Sequence, residues 1–212
     1  TPSPTAEPTP TSPPVDPAGS LYVSINGSDS NAGTSSAPFR TLQKAASTVV
    51  AGGTILVRPG RYAGFTISRS GTPDEPIVIR AASGRPTVDG ALNGRVDVIK
   101  VSAAHDIRIE GLEITGAQGG NYTGAGIRTE NGANRVVIQG NSIVGGSVQI
   151  VQGSMATIDR VRINGDLYFD SNSGALVATR NNIGGNLQAF QNSGGVRIAS
   201  NFIKGNLQCK EN

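Results

Sequence analysis

From Ile138 to Asn212 the chain repeats itself about every twenty residues, and that period limits the fold more than any other feature. Ile138, Ile158, Ala178 and Ile198 fall in one column, and Ile143, Ile163, Ile183 and Ile203 in a second. A third column holds Val148, Leu167, Leu187 and Leu207, with one residue fewer between its first two members. Polar positions keep step: Gln152, Asn172, Asn192 and Asn212 form one set, and Ser147, Asp166, Asn186 and Asn206 another, beside glycines at 146, 165, 185 and 205. A fixed period of this size marks a solenoid, whose units are too small to bury their apolar sides except against their neighbours. Inside each unit the apolar residues come in short alternating groups, such as Val196-Arg-Ile198, Phe202-Ile203 and Leu207-Gln-Cys209, separated by Asn, Gly and Ser. That pattern is strand and turn three times over. The expected fold is all-β, a parallel β-helix with three short strands per coil, whose stacked turn amides satisfy one another.

Abundant glycine (29 of 212 residues) and only 4% aromatics suit a narrow core of Ile, Val, Leu and Ala. The formal net charge is +3 and no Lys/Arg run occurs, so the sequence offers no support for nucleic-acid binding. No apolar run reaches the length of a membrane span. Residues 1–19 read as a Pro/Thr/Ser-rich linker, holding seven of the twelve prolines. Residues 20–212 form the β-helix domain, with a cap at 21–52 and coils over 53–212. A chain opening at Thr1 is expected to be a processed piece that has lost a signal, anchor or further domain upstream. No C-terminal cap is evident, so a downstream cap has been removed or the open coil associates end to end with another molecule.

The stretch LYVSINGSDSNAGTSSAPFRTLQKAASTVVAGGTILVRPGRY from Leu21, followed by GTPDEPIVIRAASGRPTVDG, resembles the opening of secreted right-handed parallel β-helix proteins of the pectate-lyase superfamily. The resemblance covers about residues 21–90 and implies a cap followed by the first coils, a bacterial secreted or cell-surface-tethered protein, and a polysaccharide partner. The residues alone ask for the same cap: Leu42, Ala45, Ala46 and Val49 lie on one face of a short helix with Thr41 as N-cap.

Ile55-Leu-Val57, Ile77-Val-Ile79, Ile107-Arg-Ile109 and Val136-Val-Ile138 read as successive passes of one sheet, giving early coils of 22, 30 and 29 residues. The extra length leaves as loops, most plainly at Gly116 to Gly124. In the sheet that contains Leu187-Gln-Ala, alternation turns the middle residues outward. The resulting strip reads Lys100, Arg128, Gln149, Tyr168, Gln188 and Gln208, with Glu130 beside Arg128. Two cations followed by amides around an aromatic ring suit an extended, hydroxyl-rich, acidic polymer. A solvated face whose amides merely stack on one another is the plain alternative.

By resemblance to the polysaccharide lyases of this fold, Lys100 and Arg128 take the catalytic roles of base and carboxylate-neutralising cation. Glu130, Gln149, Tyr168, Gln188 and Gln208 then bind substrate. Calcium is a cofactor by that resemblance only: Glu130 and Asp97 alone stand near on this face, and no metal ligands are assigned. A hydrolase needs paired carboxylates, yet Asp159, Asp166 and Asp170 occupy different columns. His105, the single histidine, is a turn residue or a general base. Cys209 takes an inward position equivalent to Ala189 and is expected to be buried. Asp29, Asn31 and Gly33 start like a calcium loop, but no Glu follows at the required spacing, and a turn closed by Asx side chains is expected. Asn26-Gly-Ser28 and Asn121-Tyr-Thr123 fit the glycosylation pattern. Three functions follow: a protein that binds or eliminatively cleaves a uronate polysaccharide, a non-catalytic structural or adhesive surface solenoid, and a self-assembling one.

Overall fold

The computed structural model describes residues 19–119 and 124–212, so nearly all of the expected linker and the Asn121 pattern lie outside the described residues. Each coil passes through three parallel sheets, and the neighbours within a sheet come from successive coils. The first sheet stacks Leu21–Val23, Thr54–Val57, Ile77–Ala81, His105–Glu110, Asn134–Gln139, Ala156–Asp159, Leu176–Thr179 and Val196–Ala199. The second stacks Arg61–Ala63, Thr87–Asp89, Glu113–Thr115, Ser142–Ile143, Arg162–Ile163, Asn182–Ile183 and Phe202–Ile203. In the third lie Phe65–Ile67, Ile99–Ser102, Ala125–Glu130, Ser147–Val151, Leu167–Asp170, Leu187–Phe190 and Leu207–Lys210. This is the parallel β-helix expected from the repeat, right-handed as the resemblance implies.

All three apolar columns run in register through the stack: Ile138 pairs with Ile158 and Ala178 with Ile198, Ile163 with Ile183, and Leu167 with Leu187. Their side chains fill one continuous core, and those as far along as Ile183, Leu187 and Ala189 have no exposed surface. At the N-terminal end the helix Leu42–Thr48 covers the stack with Leu42, Ala45 and Ala46, and the Thr41 hydroxyl accepts the Lys44 N–H as N-cap. Asp29 ties the preceding loop to this helix, its carboxylate accepting the N–H groups of Arg40 and Thr41 and the Thr41 hydroxyl. Burial would raise the Asp29 carboxyl, but those three bonds outweigh it and hold it below the ordinary range. The loop is therefore the Asx-closed turn, and Asn31 completes it by donating to the Pro38 carbonyl.

Two of the three corners share one device. A residue with left-handed backbone, such as Arg180 (φ 55°), Ser200 (57°), Ser171 (56°) or Gln191 (54°), turns the chain, and an Asn follows it. That Asn reaches along the stack. Asn192 Oδ1 accepts both the backbone N–H and the amide of Asn172, while the Asn192 amide donates to Phe169 O and Asn212 Oδ1. Asn181 and Asn201 repeat the pattern at the other corner. At the third corner Ser147, Asp166, Asn186 and Asn206 hand hydrogen bonds from coil to coil as the spacing suggests.

Three expectations are corrected. Gln152 is not the first member of the Asn172 column: it takes the left-handed corner position, and Gly153 N–H donates to Asn172 Oδ1 in the ladder. The coil one residue short between Val148 and Leu167 shifts the corner by one. In the first sheet Ile55 pairs with Ile79 rather than Ile77, so the first step is two residues longer than the apolar pattern suggests. Cys209 does pair with Ala189 in the inward column, yet it is exposed because its strand is the outermost of its sheet.

Candidate functional site

The outer face of the third sheet is assembled strand by strand from period-two alternation, each strand setting one side chain beside that of the next coil. Thr66 pairs with Lys100, Lys100 with Arg128, Arg128 with Gln149, Gln149 with Tyr168, Tyr168 with Gln188 and Gln188 with Gln208. All six expected strip residues thus share one column, and Thr66 extends it by one coil. A second outward column runs beside it, with Ser102 paired to Glu130, and Val151, Asp170, Phe190 and Lys210 in sequence.

At the N-terminal end the strip is a charge network. Lys100 Nζ stands 3.3 Å from Asp97 Oδ2 and 3.2 Å from Glu130 Oε1. Arg128 donates through Nε to Glu130 Oε2 (2.7 Å) and through Nη1 to Gln149 Oε1 (2.6 Å). Arg95 closes the end, donating to the Thr66 hydroxyl at 2.6 Å and to the Asp97 carbonyl. The two cations are therefore matched by two carboxylates. Burial would raise the Glu130 carboxyl, but its hydrogen bonds and charge contacts with Arg128 and Lys100 outweigh burial and hold it below the ordinary glutamate range.

Toward the C-terminal end the face turns aromatic and amidic. The Tyr168 and Phe190 rings meet edge to face, 6.0 Å between centroids. Burial first, and then the neighbouring Asp170 charge, push the Tyr168 hydroxyl above its ordinary value. Gln188 donates its amide to Gln208 at 2.8 Å. Arg128, Gln149, Tyr168, Asp170 and Gln188 line a cleft of about 240 Å³, closed on one side by Ser147 and Asp166. Across Ser147 and Asp166 lies a second, glycine-walled cleft between Gly116, Gly146 and Gly165. Glycine is required there, since a Cβ on Gly165 would approach the Gly146 carbonyl oxygen to 2.6 Å.

Phe190, Asp170, Thr66 and Arg95 escaped the sequence reading of this face, which had Asp97 near it but not its contacts. Phe190 and Asp170 were accessible to it, each standing two residues beyond a strip residue and so on the same face. Asp97 and Arg95 lie outside the strands, where periodicity carries no information.

His105 stands apart from this face. Its Nδ1 lies 2.7 Å from Asp106, a buried carboxylate that Arg135 also grips with two bonds of 2.6 Å. The Arg135 hydrogen bond, against the opposing effect of burial, keeps the Asp106 carboxyl low. For calcium the donor set does not fit: Asp97 and Glu130 are spent on Lys100 and Arg128, Asp170 stands further along the face, and the described residues hold no cluster of three or more acidic, His or Cys ligands.

A family model described as Pel9A-like, right handed beta helix region, matches residues 21–201. The chain is 35% identical over 133 residues to the uncharacterized protein YwoF of Bacillus subtilis, covering 59% of this chain and 28% of that one. It is 40% identical over 74 residues to pectate lyase PEL9 of Emericella nidulans, covering 34% and 18%. Among solved structures it superposes on a rhamnogalacturonan lyase with a TM-score of 0.55 at 19% identity, covering 89% of this chain and 62% of that one. Pectate lyase Pel9A gives a TM-score of 0.55 at 19% identity, covering 84% and 55%. At that identity the structural likeness is one of fold, and the chain spans less than a third of the curated relatives it matches.

Proposed function

Since the chain belongs to the Pel9A-like right-handed β-helix family, we propose that it is a secreted or cell-surface-tethered protein that holds an acidic, uronate-containing polysaccharide along the outer face of its third sheet. The observation that supports this most is the unbroken outward column from Thr66 to Gln208, which changes from charged residues to amides around an aromatic ring along its length. A sugar chain offers hydroxyls, apolar C–H faces and, in uronates, carboxylates. Gln149, Gln188 and Gln208 match the first and the Tyr168–Phe190 pair the second. Arg128 spends Nε and Nη1 inside the protein, leaving Nη2 for a carboxylate beside Lys100.

Holding is favoured over cleavage on one ground. In an elimination Lys100 would remove the proton next to a uronate carboxylate, but its Nζ is engaged with both Asp97 and Glu130 and would have to leave them to reach that proton. The names of the relatives, pectate lyase and rhamnogalacturonan lyase, keep elimination as the second reading.

The test is incubation with a panel of uronate polymers, with and without calcium, following absorbance of the unsaturated product together with retention in polymer-containing gels. Retention without product is the expected result. Tyr168→Ala should lose about tenfold in retention with little salt dependence, whereas Arg128→Ala should lose a salt-sensitive share. Product that vanishes in Lys100→Ala would move the assignment to a lyase, and neither product nor retention would leave a structural solenoid.

A further inference from the structure

The corner that joins the first sheet to the second carries a row of guanidinium groups away from the third-sheet face. Gly140, Arg160 and Arg180 occupy the same corner position in successive coils, linked by the N–H of Gly140 to Asp159 O and of Arg160 to Thr179 O. Asp159, buried with 6% exposure, holds both arginines: Arg160 Nε lies 3.1 Å from Oδ2, and Arg180 Nη2 lies 2.7 Å from Oδ1. Each arginine side chain stays 59% exposed. Arg85 reaches across to donate to the Gly140 carbonyl at 3.2 Å, setting a third guanidinium one position further along the row. Arg162, exposed and two residues past Arg160, makes no ion pair among the described residues. Four guanidinium groups thus gather at this corner, two of them held by one buried carboxylate and with Glu113 two coils away in the Arg162 column, in a protein whose whole formal charge is only +3.

We propose that this ridge is a second anion-binding surface, taking a linear carboxylate polymer, an acidic polysaccharide, that runs parallel to the solenoid axis. The coil spacing of ~4.8 Å repeats the positive charge along the ridge, and the planar fork of each arginine pairs with carboxylates in bidentate fashion. Asp159 fixes Arg180 through Nε and Nη2 and Arg160 through Nε, which leaves the remaining donors of both exposed side chains for a ligand. A nucleic acid is disfavoured because, of the neighbours in register, Phe202 alone carries a ring, in line with Arg162 and Asn182, so successive bases find no run of rings on which to stack. The ridge stands whether or not the third-sheet face binds sugar.

The test compares wild type, Arg160→Gln/Arg180→Gln and Arg162→Gln in gels containing polygalacturonate, its methyl ester or single-stranded DNA. Arg162→Gln breaks no ion pair and so reports on binding even if the double variant loses stability. Expected are about a tenfold loss of polygalacturonate retention in the double variant, a smaller loss in Arg162→Gln, a flatter salt dependence in both, and no effect on the methyl ester. Tyr168→Ala should subtract from retention independently, so failure of one surface leaves the other readable. Wild-type retention in both arginine variants would overturn the ridge, and stronger arginine-dependent retention on DNA than on polygalacturonate would overturn its assignment to polysaccharide.

Discussion

At the scale of single residues the ladder asparagines stand out, because a coil of twenty residues leaves backbone N–H groups at its corners that no strand can satisfy. Asn192 has no exposed surface and serves four partners. Asn192→Ala takes partners from the Asn172 backbone N–H, from one N–H of the Asn172 amide, whose other bond goes to Ile150 O, and from the Phe169 carbonyl, each worth about 1–3 kcal/mol when buried unpaired. We expect a loss of at least ~3 kcal/mol in urea unfolding. Asn192→Asp should recover only part of it, keeping the acceptor for Asn172 but losing both donated bonds. A loss under ~1 kcal/mol for Asn192→Ala would show that water replaces the ladder.

At the scale of the coil the balance moves to the core, which is only a few side chains wide. Ile183 pairs with Ile163 and Ile203 in the second sheet and is fully buried. Ile183→Asp sets an unpaired charge between them, at a cost of more than ~4 kcal/mol. Gln188→Ala removes one exposed side-chain bond on the opposite surface of a strand, and should change stability by less than ~1 kcal/mol. Similar melting temperatures for the two variants would contradict the register. That register was legible in the sequence because inward apolar residues recur every twenty residues from Ile138 onward, with a single step of nineteen between Val148 and Leu167. Earlier coils were less legible. Ile77 and Ile79 are equally good partners for Ile55 by alternation, and only the Thr72 and Gly71 turn, hydrogen-bonded to Glu75 and His105, decides between them. Val161 hid the Asn181–Asn201 ladder in the same way, by standing at the position where the period calls for Asn and donating its N–H to Asn181 instead. On the candidate face the column itself was legible, whereas the pairing of Lys100 with Asp97 was not, since a contact made from a turn has no period.

At the scale of the whole molecule, coils from Ala156 onward are translational copies. Excising residues 172–191 joins Ser171 to Asn192, residues that already occupy consecutive corner positions, and brings Leu207 into register with Leu167. The shortened chain should keep its β-sheet circular dichroism and cooperative unfolding. The same excision moved to residues 108–127 should not, since the coils there are about thirty residues long and their loops are not interchangeable.

The left-handed corner followed by asparagine therefore amounts to a splice site in protein form. Wherever it occurs the chain can be cut and rejoined without changing what any neighbour sees, so the length of such a protein is a count and not a measurement. Each added coil lengthens both the third-sheet column and the arginine corner by ~4.8 Å. For a protein that holds a polymer as proposed, reach along it would change in whole steps by duplication alone, with no new contact to be invented.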